Sequence, residues 1–419
     1  MEVFLGRQPI LSRQQRTVGY ELLFRSGNGN YCDATDGNVA TATVISNAFM
    51  SLGCSRALGS VAGFINFPRD VLVADQARLL APNKIVIEIL EDVKIDQTVI
   101  DSSRTLAEAG YSIALDDVAF ADQGSALLPW IRYAKIDFMR LGKNERRQIG
   151  DHFLKKGVTL LAEKVETRED FVFAASHGYD LFQGYFFAKP EIILGSEIPT
   201  SKLNALRLLR EIHSHRELDF KQLENLLRVD VGLVKKLFCF VNSAAFPIRN
   251  HIASISRALA TLGEQSVRTW VSLSALFALA DDKPAELVNM SLVRARFCEL
   301  AAMSSGLRHR ASDCFLMGLL SLLEPIVGRP EEELLEEMGL DSDVASAILD
   351  KGAGSNALRP LLELATALEG SEPTAVARIM AQSPLDSAVI SELYLQAIEW
   401  ADALHRDRQA ANPTGAGLI

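Results

Sequence analysis

Hydrophobic and polar positions follow different patterns in the two halves of the chain. Up to about residue 190, short apolar runs rich in β-branched residues alternate with segments of helical periodicity, which predicts strand–helix units and a mainly parallel sheet. The clearest predicted strands cover residues 84–89, 112–117 and 133–137. Their near-continuous apolar character predicts burial on both faces, as in an α/β barrel. The close spacing of these units favours a compact barrel, although periodicity alone leaves an open sheet as the alternative.

After residue 190 the β-branched runs give way to long stretches with apolar residues three and four positions apart, which predict helices. The predicted helices include residues 203–209, 219–241 and 254–279. Residues 191–200 contain glycine, serine and proline and are typical of a linker. We therefore predict a multidomain chain, with an α/β barrel over residues 1–195, an all-α domain over 196–405 and a flexible tail over 406–419.

Composition narrows the classes of function. The chain of 419 residues is longer than a single hydrophobic core usually organises, which indicates more than one domain. Its net charge of −10 opposes binding to the negatively charged backbone of a nucleic acid. The first residues lack the pattern of a signal peptide, in which a charged segment precedes an apolar one. No apolar run of about 18 residues occurs either, so no membrane association is expected. The five cysteines are scattered without a C-x-x-C pair. Reduced thiols and a cytoplasmic location are the expectation.

Several predicted strands end on residues that do not belong in an apolar core: Glu88, Asp116, Asp117, Lys135, Asp137, Glu163 and Glu166. Unpaired buried carboxylates are strongly destabilising, so these residues require compensation. Strand ends of an α/β barrel converge on one rim, where such enzymes place their chemistry. Carboxylate and amide oxygens suit Mg²⁺ or Mn²⁺ rather than zinc, and two such ions serve phosphodiester hydrolysis.

Each of these residues also has a structural interpretation. Asp116 or Asp117 alone is as readily the N-cap of the next helix. Lys135 alone more often pairs with Asp137 or another carboxylate than acts in catalysis. Asn66, which lies just before Phe67-Pro68, can equally serve as a cap or fix a turn. The series carries more weight than any single member.

The order of motifs adds a resemblance. Glu21-Leu22-Leu23 stands where one family has Glu-Ala-Leu, and the further matches are Gln8-Pro9-Ile10, Asn66, Glu88, Asp116-Asp117, Lys135-Ile136-Asp137, Glu163-Lys164-Val165-Glu166-Thr167 and Gln183-Gly184-Tyr185. The first half thus resembles an EAL domain, a TIM-like barrel that hydrolyses cyclic di-GMP. The resemblance implies metal ligands at Glu21, Asn66, Glu88, Asp116 and Asp117, catalytic or supporting roles for Lys135, Glu163 and Glu166, and cyclic di-GMP contacts at Gln8, Arg25 and Gln183.

Two departures from the family pattern leave turnover open. Residues 118–124 replace a loop rich in glycine and serine, which in the family positions the aspartates and assists dimerisation. Lys164 replaces a glycine and adds a cation, which can pair with Glu163 or Asp137 and occupy the place of a metal. A working phosphodiesterase and a domain that binds the dinucleotide without cleavage are the two interpretations, and a homodimer is an assembly that the resemblance allows.

The second half resembles an HDOD domain, a helical relative of metal-dependent HD hydrolases. The matching segments are residues 226–237, 241–246, 252–258 and 262–263. Ser321 and Leu322 stand in the His-Asp places, and His213, His215, His251 and His309 are expected at the surface. We expect no catalysis from this half, but a regulatory role or a contact with a protein partner. The alternatives for the whole chain are an inactive adaptor and, less favoured, a nucleic-acid-binding regulator.

Overall fold

The first half is a closed barrel. The computed structural model describes residues 3–26, 58–59, 61–188, 200–213, 218–242, 252–350, 356–370, 379 and 385–411. Within them the strands are β1 Val3–Ser12, β2 Thr17–Ser26, β3 Ala62–Phe67, β4 Ile85–Ile89, β5 Ser112–Leu115, β6 Tyr133–Asp137, β7 Thr159–Glu163 and β8 Leu181–Gln183. They pair in chain order and close between β8 and β1. β1 is antiparallel to both neighbours and the other pairs are parallel, so the barrel prediction is confirmed over the open sheet.

A small apolar cluster fills the interior of the barrel. It consists of Ile10, Phe64, Val86, Ala114 and Leu161, all buried. Each lies two positions along the chain from a residue of the predicted site, and side chains on a strand return to the same face at every second residue. The cluster therefore forms the layer directly beneath the predicted site.

Helices of the first half are α1 Arg69–Val73, α2 Gln97–Glu108, α3 Lys143–Leu154 and α4 Arg168–Ser176. The side chain of Asp96 caps α2 by accepting from the Val99 amide at 3.1 Å. Thr167, which closes the motif after β7, caps α4 by accepting from the Asp170 amide at 3.1 Å. These caps fix where the chain leaves the rim and enters the outer helices.

The second half is helical, as predicted. Its helices are α5 Thr200–His213, α6 Phe220–Arg228, α7 Val231–Val241, α8 Ile255–Leu279, α9 Ala285–Ser304, α10 Ala311–Leu320, α11 Leu323–Val327, α12 Glu331–Met338, α13 Ser342–Ile348, α14 Arg359–Glu369 and α15 Ser387–Ala411. The predicted helix over 219–241 is divided, because Asp230 caps α7 by accepting from the Leu233 amide at 3.0 Å. Helix α15 continues to Ala411, six residues into the predicted tail, and the linker lies outside the described residues except Thr200.

The helical half packs against the barrel at β1. A Cβ added to Gly6 would lie 2.6 Å from the carbonyl oxygen of Leu368 in α14, so glycine permits this close approach. Arg7, the next residue, pairs with Asp402 of α15 at 3.6 Å. Among the described helices, none is long and apolar enough to cross a membrane.

Candidate active site at the barrel rim

Polar side chains from all the described strands meet inside the barrel above the apolar layer. The contributors are Gln8 of β1, Glu21 of β2, Asn66 of β3, Glu88 of β4, Asp116 just after β5, Lys135 of β6, Glu163 of β7 and Gln183 of β8. Strand register brings them to one level: Gln8 lies opposite Glu21, and Asn66 opposite Glu88. Of the residues whose convergence at one rim is predicted, the structure brings Glu88, Asp116, Lys135 and Glu163 together.

The ammonium of Lys135 lies at the centre of this set. Its Nζ is 2.7 Å from Glu88, 2.8 Å from Glu163, 2.9 Å from Asp116 and 3.2 Å from Glu21. Lys135 is 1% exposed and Glu88 is fully buried. We call Lys135 and these four acids the carboxylate nest. Lys135 thus pairs with four carboxylates other than Asp137, the partner that the structural interpretation named first.

Burial and mutual repulsion shift the proton affinity of the nest. Burial alone lowers the pKa of Lys135, but the surrounding carboxylates, Asp116 first, outweigh it and hold that pKa well above its ordinary value. Burial raises the pKa of Glu163 to about 8 and that of Glu88 well above its usual range, against the lowering effect of Lys135. One cation faces four acids, so compensation within the nest is partial.

Several buried oxygens around the nest accept no hydrogen bond from the described residues. They include Oε2 of Glu88, Oδ1 of Asn66 and Oδ1 of Asp117. Buried acceptors without donors are costly, and hard oxygens of this kind suit a divalent cation such as Mg²⁺ or Mn²⁺. In the described residues, however, no three His, Cys, Asp or Glu side chains form a group that could hold a metal. The oxygen atoms are of the type that binds a divalent metal, but the carboxylates here surround the ammonium of Lys135. The assignment of the metal ligands therefore stays a prediction.

Two residues at the rim have left-handed backbone conformations. Asp117 has φ 45° and Lys164 has φ 52°. Such values favour glycine, so Lys164 has a backbone conformation that glycine adopts more easily. Lys164 Nζ lies 2.5 Å from Asp137 Oδ2, so of the two predicted pairings the structure shows the one with Asp137. Asp137 also accepts from the amides of Met139 and Arg140, at 2.7 and 3.0 Å, which gives it a turn-forming role.

Two of the three residues predicted to contact the dinucleotide, Gln8 and Gln183, lie next to the carboxylate nest. Nε2 of Gln183 donates to Gln8 at 2.6 Å and to Glu21 at 2.8 Å, so both glutamines border the nest. The side chain of Arg25 lies outside the described part of the structure. Glu166 is exposed, beyond the buried nest, and its supporting role stays a prediction.

The altered loop after Asp117 is attached to β6 at its start and carries a hydrogen bond within the loop. The Val118 amide donates to the Lys135 carbonyl at 2.9 Å. The Gln123 side chain accepts from the Ala119 amide at 2.8 Å. Phe120 between them is 59% exposed. The start of the loop is therefore attached to the strand that carries Lys135.

In the helical half, a buried ion pair lies beside Ser321, one of the two His-Asp places. Ser321 accepts from Arg294 at 3.1 Å, and Arg294 forms a bidentate pair with Glu369 whose shortest contact is 2.6 Å. His213 was wrongly expected at the surface, since it is partly buried and bonds to Ser272 at 2.9 Å. His309 is exposed as expected, and His215 and His251 lie outside the described residues.

Comparison with known proteins agrees with this division. The EAL domain model matches residues 55–190, and the HDOD domain model matches residues 198–327. The YuxH protein of Bacillus subtilis is 33% identical over 412 residues, covering 96% of this chain and 99% of its own. Cyclic di-GMP phosphodiesterase CdgJ of Vibrio cholerae is 33% identical over 406 residues, covering 96% of this chain and 93% of its own.

A solved structure was also matched. The Bacillus subtilis YkuI protein with an EAL domain, in complex with c-di-GMP and calcium, aligns with a TM-score of 0.38 and 20% identity, over 56% of this chain and 72% of that one. The full-length relatives and the two domain matches establish the family. This chain belongs to the family of proteins in which an EAL domain is followed by an HDOD domain.

Proposed function

We propose that this protein is a cyclic-di-GMP signalling protein whose barrel binds the dinucleotide and hydrolyses one of its phosphodiester bonds. The observation that carries the proposal is the carboxylate nest, where four acids and Lys135 converge at the closed barrel's rim. The name of CdgJ, which matches nearly the whole chain, supports the substrate. The cytoplasm is the proposed location, in keeping with the free buried thiols of Cys298 and Cys314.

The residues divide the work by position. Glu21, Asn66, Glu88, Asp116 and Asp117 would hold Mg²⁺ or Mn²⁺, which when bound supplies Lewis-acid charge to a phosphodiester. Lys135 offers a buried positive charge to a phosphate oxygen, and Glu163, 2.8 Å from it, is placed to accept a proton. Gln183 and Gln8 keep Glu21 in place, and Arg25 and Glu166 are proposed for the outer part of the site.

A specific observation favours a second function, binding without cleavage. Lys164 places an extra cation at the rim, and its Nζ forms an ion pair with Asp137 Oδ2 at 2.5 Å. An ammonium there reduces the attraction of the rim for a divalent metal. In this second function the barrel is a receptor, and the helical half relays its state to a protein partner.

Titration of the purified chain tests both functions. Cyclic di-GMP is added with Mn²⁺, with Mg²⁺ and with Ca²⁺, while calorimetry records binding and chromatography records the linear dinucleotide. Binding with product supports the enzyme, and binding alone supports the receptor. Asp116→Ala is expected to abolish turnover, while Asp151→Ala, on the exposed side of α3, leaves it unchanged. Absence of binding with every metal contradicts both functions.

A further inference from the structure

The helical half meets the barrel through a buried polar network on the side of β1 and β2 that faces away from the nest. Oε2 of Glu286, in the first turn of α9, accepts from Thr17 at 2.7 Å and from the Tyr20 hydroxyl at 3.0 Å. The Asn289 amide donates to Glu286 at 3.2 Å and to Tyr20 at 3.3 Å. The guanidinium of Arg7 lies 4.1 Å from the centre of the Tyr20 ring. We call these five residues the interdomain network.

Strand alternation places this network directly behind the nest. Arg7 precedes Gln8 on β1, and Tyr20 precedes Glu21 on β2, so neighbouring side chains point to opposite faces. Gln8 and Glu21 are themselves opposite each other in the register. A displacement of the strand backbone at Arg7 or Tyr20 therefore also displaces Gln8 or Glu21.

The buried hydrogen bonds of the network fix the position of α9 relative to β1 and β2. Arg7, Tyr20, Glu286 and Asn289 are each between 5% and 6% exposed. Burial raises the pKa of Tyr20 well above its ordinary value, so its hydroxyl keeps the proton that it donates to Glu286. Hydrogen bonds to a buried carboxylate are strong and directional, and loss of the acceptor leaves several donors unpaired.

We propose that Arg7, Tyr20 and Glu286 are positioning residues through which the helical half sets the geometry of Glu21 and Gln8, and so the affinity of the rim for cyclic di-GMP. The ligand part rests on the proposed function. The mechanical part does not, because it concerns β1 and β2 in the free protein.

Two measurements on the full chain test the inference. Glu286→Ala is expected to weaken cyclic di-GMP binding, titrated in Ca²⁺, by about tenfold, a usual size for coupling between sites. Backbone amides of β1 and β2 should exchange hydrogen faster in the same variant without ligand. Glu286→Gln, which keeps an oxygen acceptor, should restore most of the affinity. Tyr20→Phe, which keeps the ring beside Arg7, should cause a smaller loss of affinity and a smaller rise in the exchange rate than Glu286→Ala.

Glu299→Ala is the matched control, because Glu299 lies on the same helix and pairs with Arg296 at 2.6 Å. It should leave affinity and exchange unchanged. Wild-type affinity and wild-type exchange in a folded Glu286→Ala overturn the inference and leave the proposed function standing. A wild-type chain that does not bind overturns the proposed function, and exchange in β1 and β2 then still decides the positioning role.

Discussion

Lys135 defines the chemistry of the site at the scale of single residues. Its strand predicts a buried position, and a buried lysine needs anionic partners. The sequence therefore indicated that Lys135 has carboxylate partners. Convergence of the strand ends at one rim was also predicted. The direct contact of four acids with Lys135 was not, because those contacts span between 19 and 114 positions of sequence and depend on closure of the barrel.

Lys164 gives the first residue-scale prediction. Lys164→Gly removes a Cβ at φ 52° and the ion pair with Asp137. The variant should bind Mn²⁺ more tightly than the wild type, because a cation leaves the rim. Its free energy of unfolding should stay within about 1 kcal/mol of the wild type, since relief of the left-handed conformation offsets a half-exposed ion pair. Calorimetric titration with Mn²⁺ and urea denaturation measure the two quantities.

Asp75 provides the control for this prediction. It has φ 56° and pairs with Arg78 at 2.5 Å, on an exposed turn before β4. Asp75→Gly relieves a similar conformation and should leave Mn²⁺ affinity unchanged. Unchanged Mn²⁺ affinity in Lys164→Gly would show that Lys164 does not limit metal binding.

At the scale of elements, the contact between α5 and α8 depends on a neutral histidine. Burial, with a smaller effect of Arg268, lowers the pKa of His213 to about 3. The folded state therefore stays unprotonated there, while the unfolded chain takes up a proton below pH 6.5. Stability is fully present above that pH and is lost as the pH falls toward 3.

His213→Gln tests this pH dependence. The wild type should lose up to about 2 kcal/mol more unfolding free energy than His213→Gln between pH 7 and pH 5. Urea denaturation followed by circular dichroism at both pH values measures the difference. His309→Gln, at an exposed position, should behave as the wild type does. Parallel losses in all three chains would refute the role of His213.

Sequence patterns predicted the elements better than their contacts. Apolar runs placed β4 and β6 almost to the residue, since burial on both faces leaves a continuous signal. The partial burial of His213 was not predicted, because it depends on the packing of α5 against α8, where its partner Ser272 lies 59 positions away in the sequence. The interdomain network was missed for the same reason, because Glu286 and Tyr20 are each ordinary residues in their own elements.

At the scale of the whole molecule, the two halves share a buried surface. Arg7 and Tyr20 are 5% and 6% exposed in the full chain, and part of their cover comes from α9 and α15. A fragment of residues 1–195 would expose these side chains and leave the outer face of β1 open.

The fragment should therefore be less stable than the barrel within the full chain. We expect it to bind a hydrophobic dye and to melt at a lower temperature than the full chain, because apolar area buried between the halves is lost. Dye fluorescence and a thermal scan measure both. A fragment that melts with the full chain and binds no dye would show that the barrel stands alone.

The apolar layer beneath the nest determines how a ligand enters and leaves the site. Ile10, Phe64, Val86, Ala114 and Leu161 seal the barrel on the side opposite the rim. A ligand that enters the nest must leave through the same mouth, so it has to depart before the next one can bind. In the proposed function, release of the linear dinucleotide through this mouth then limits the rate of successive cycles as much as bond cleavage does.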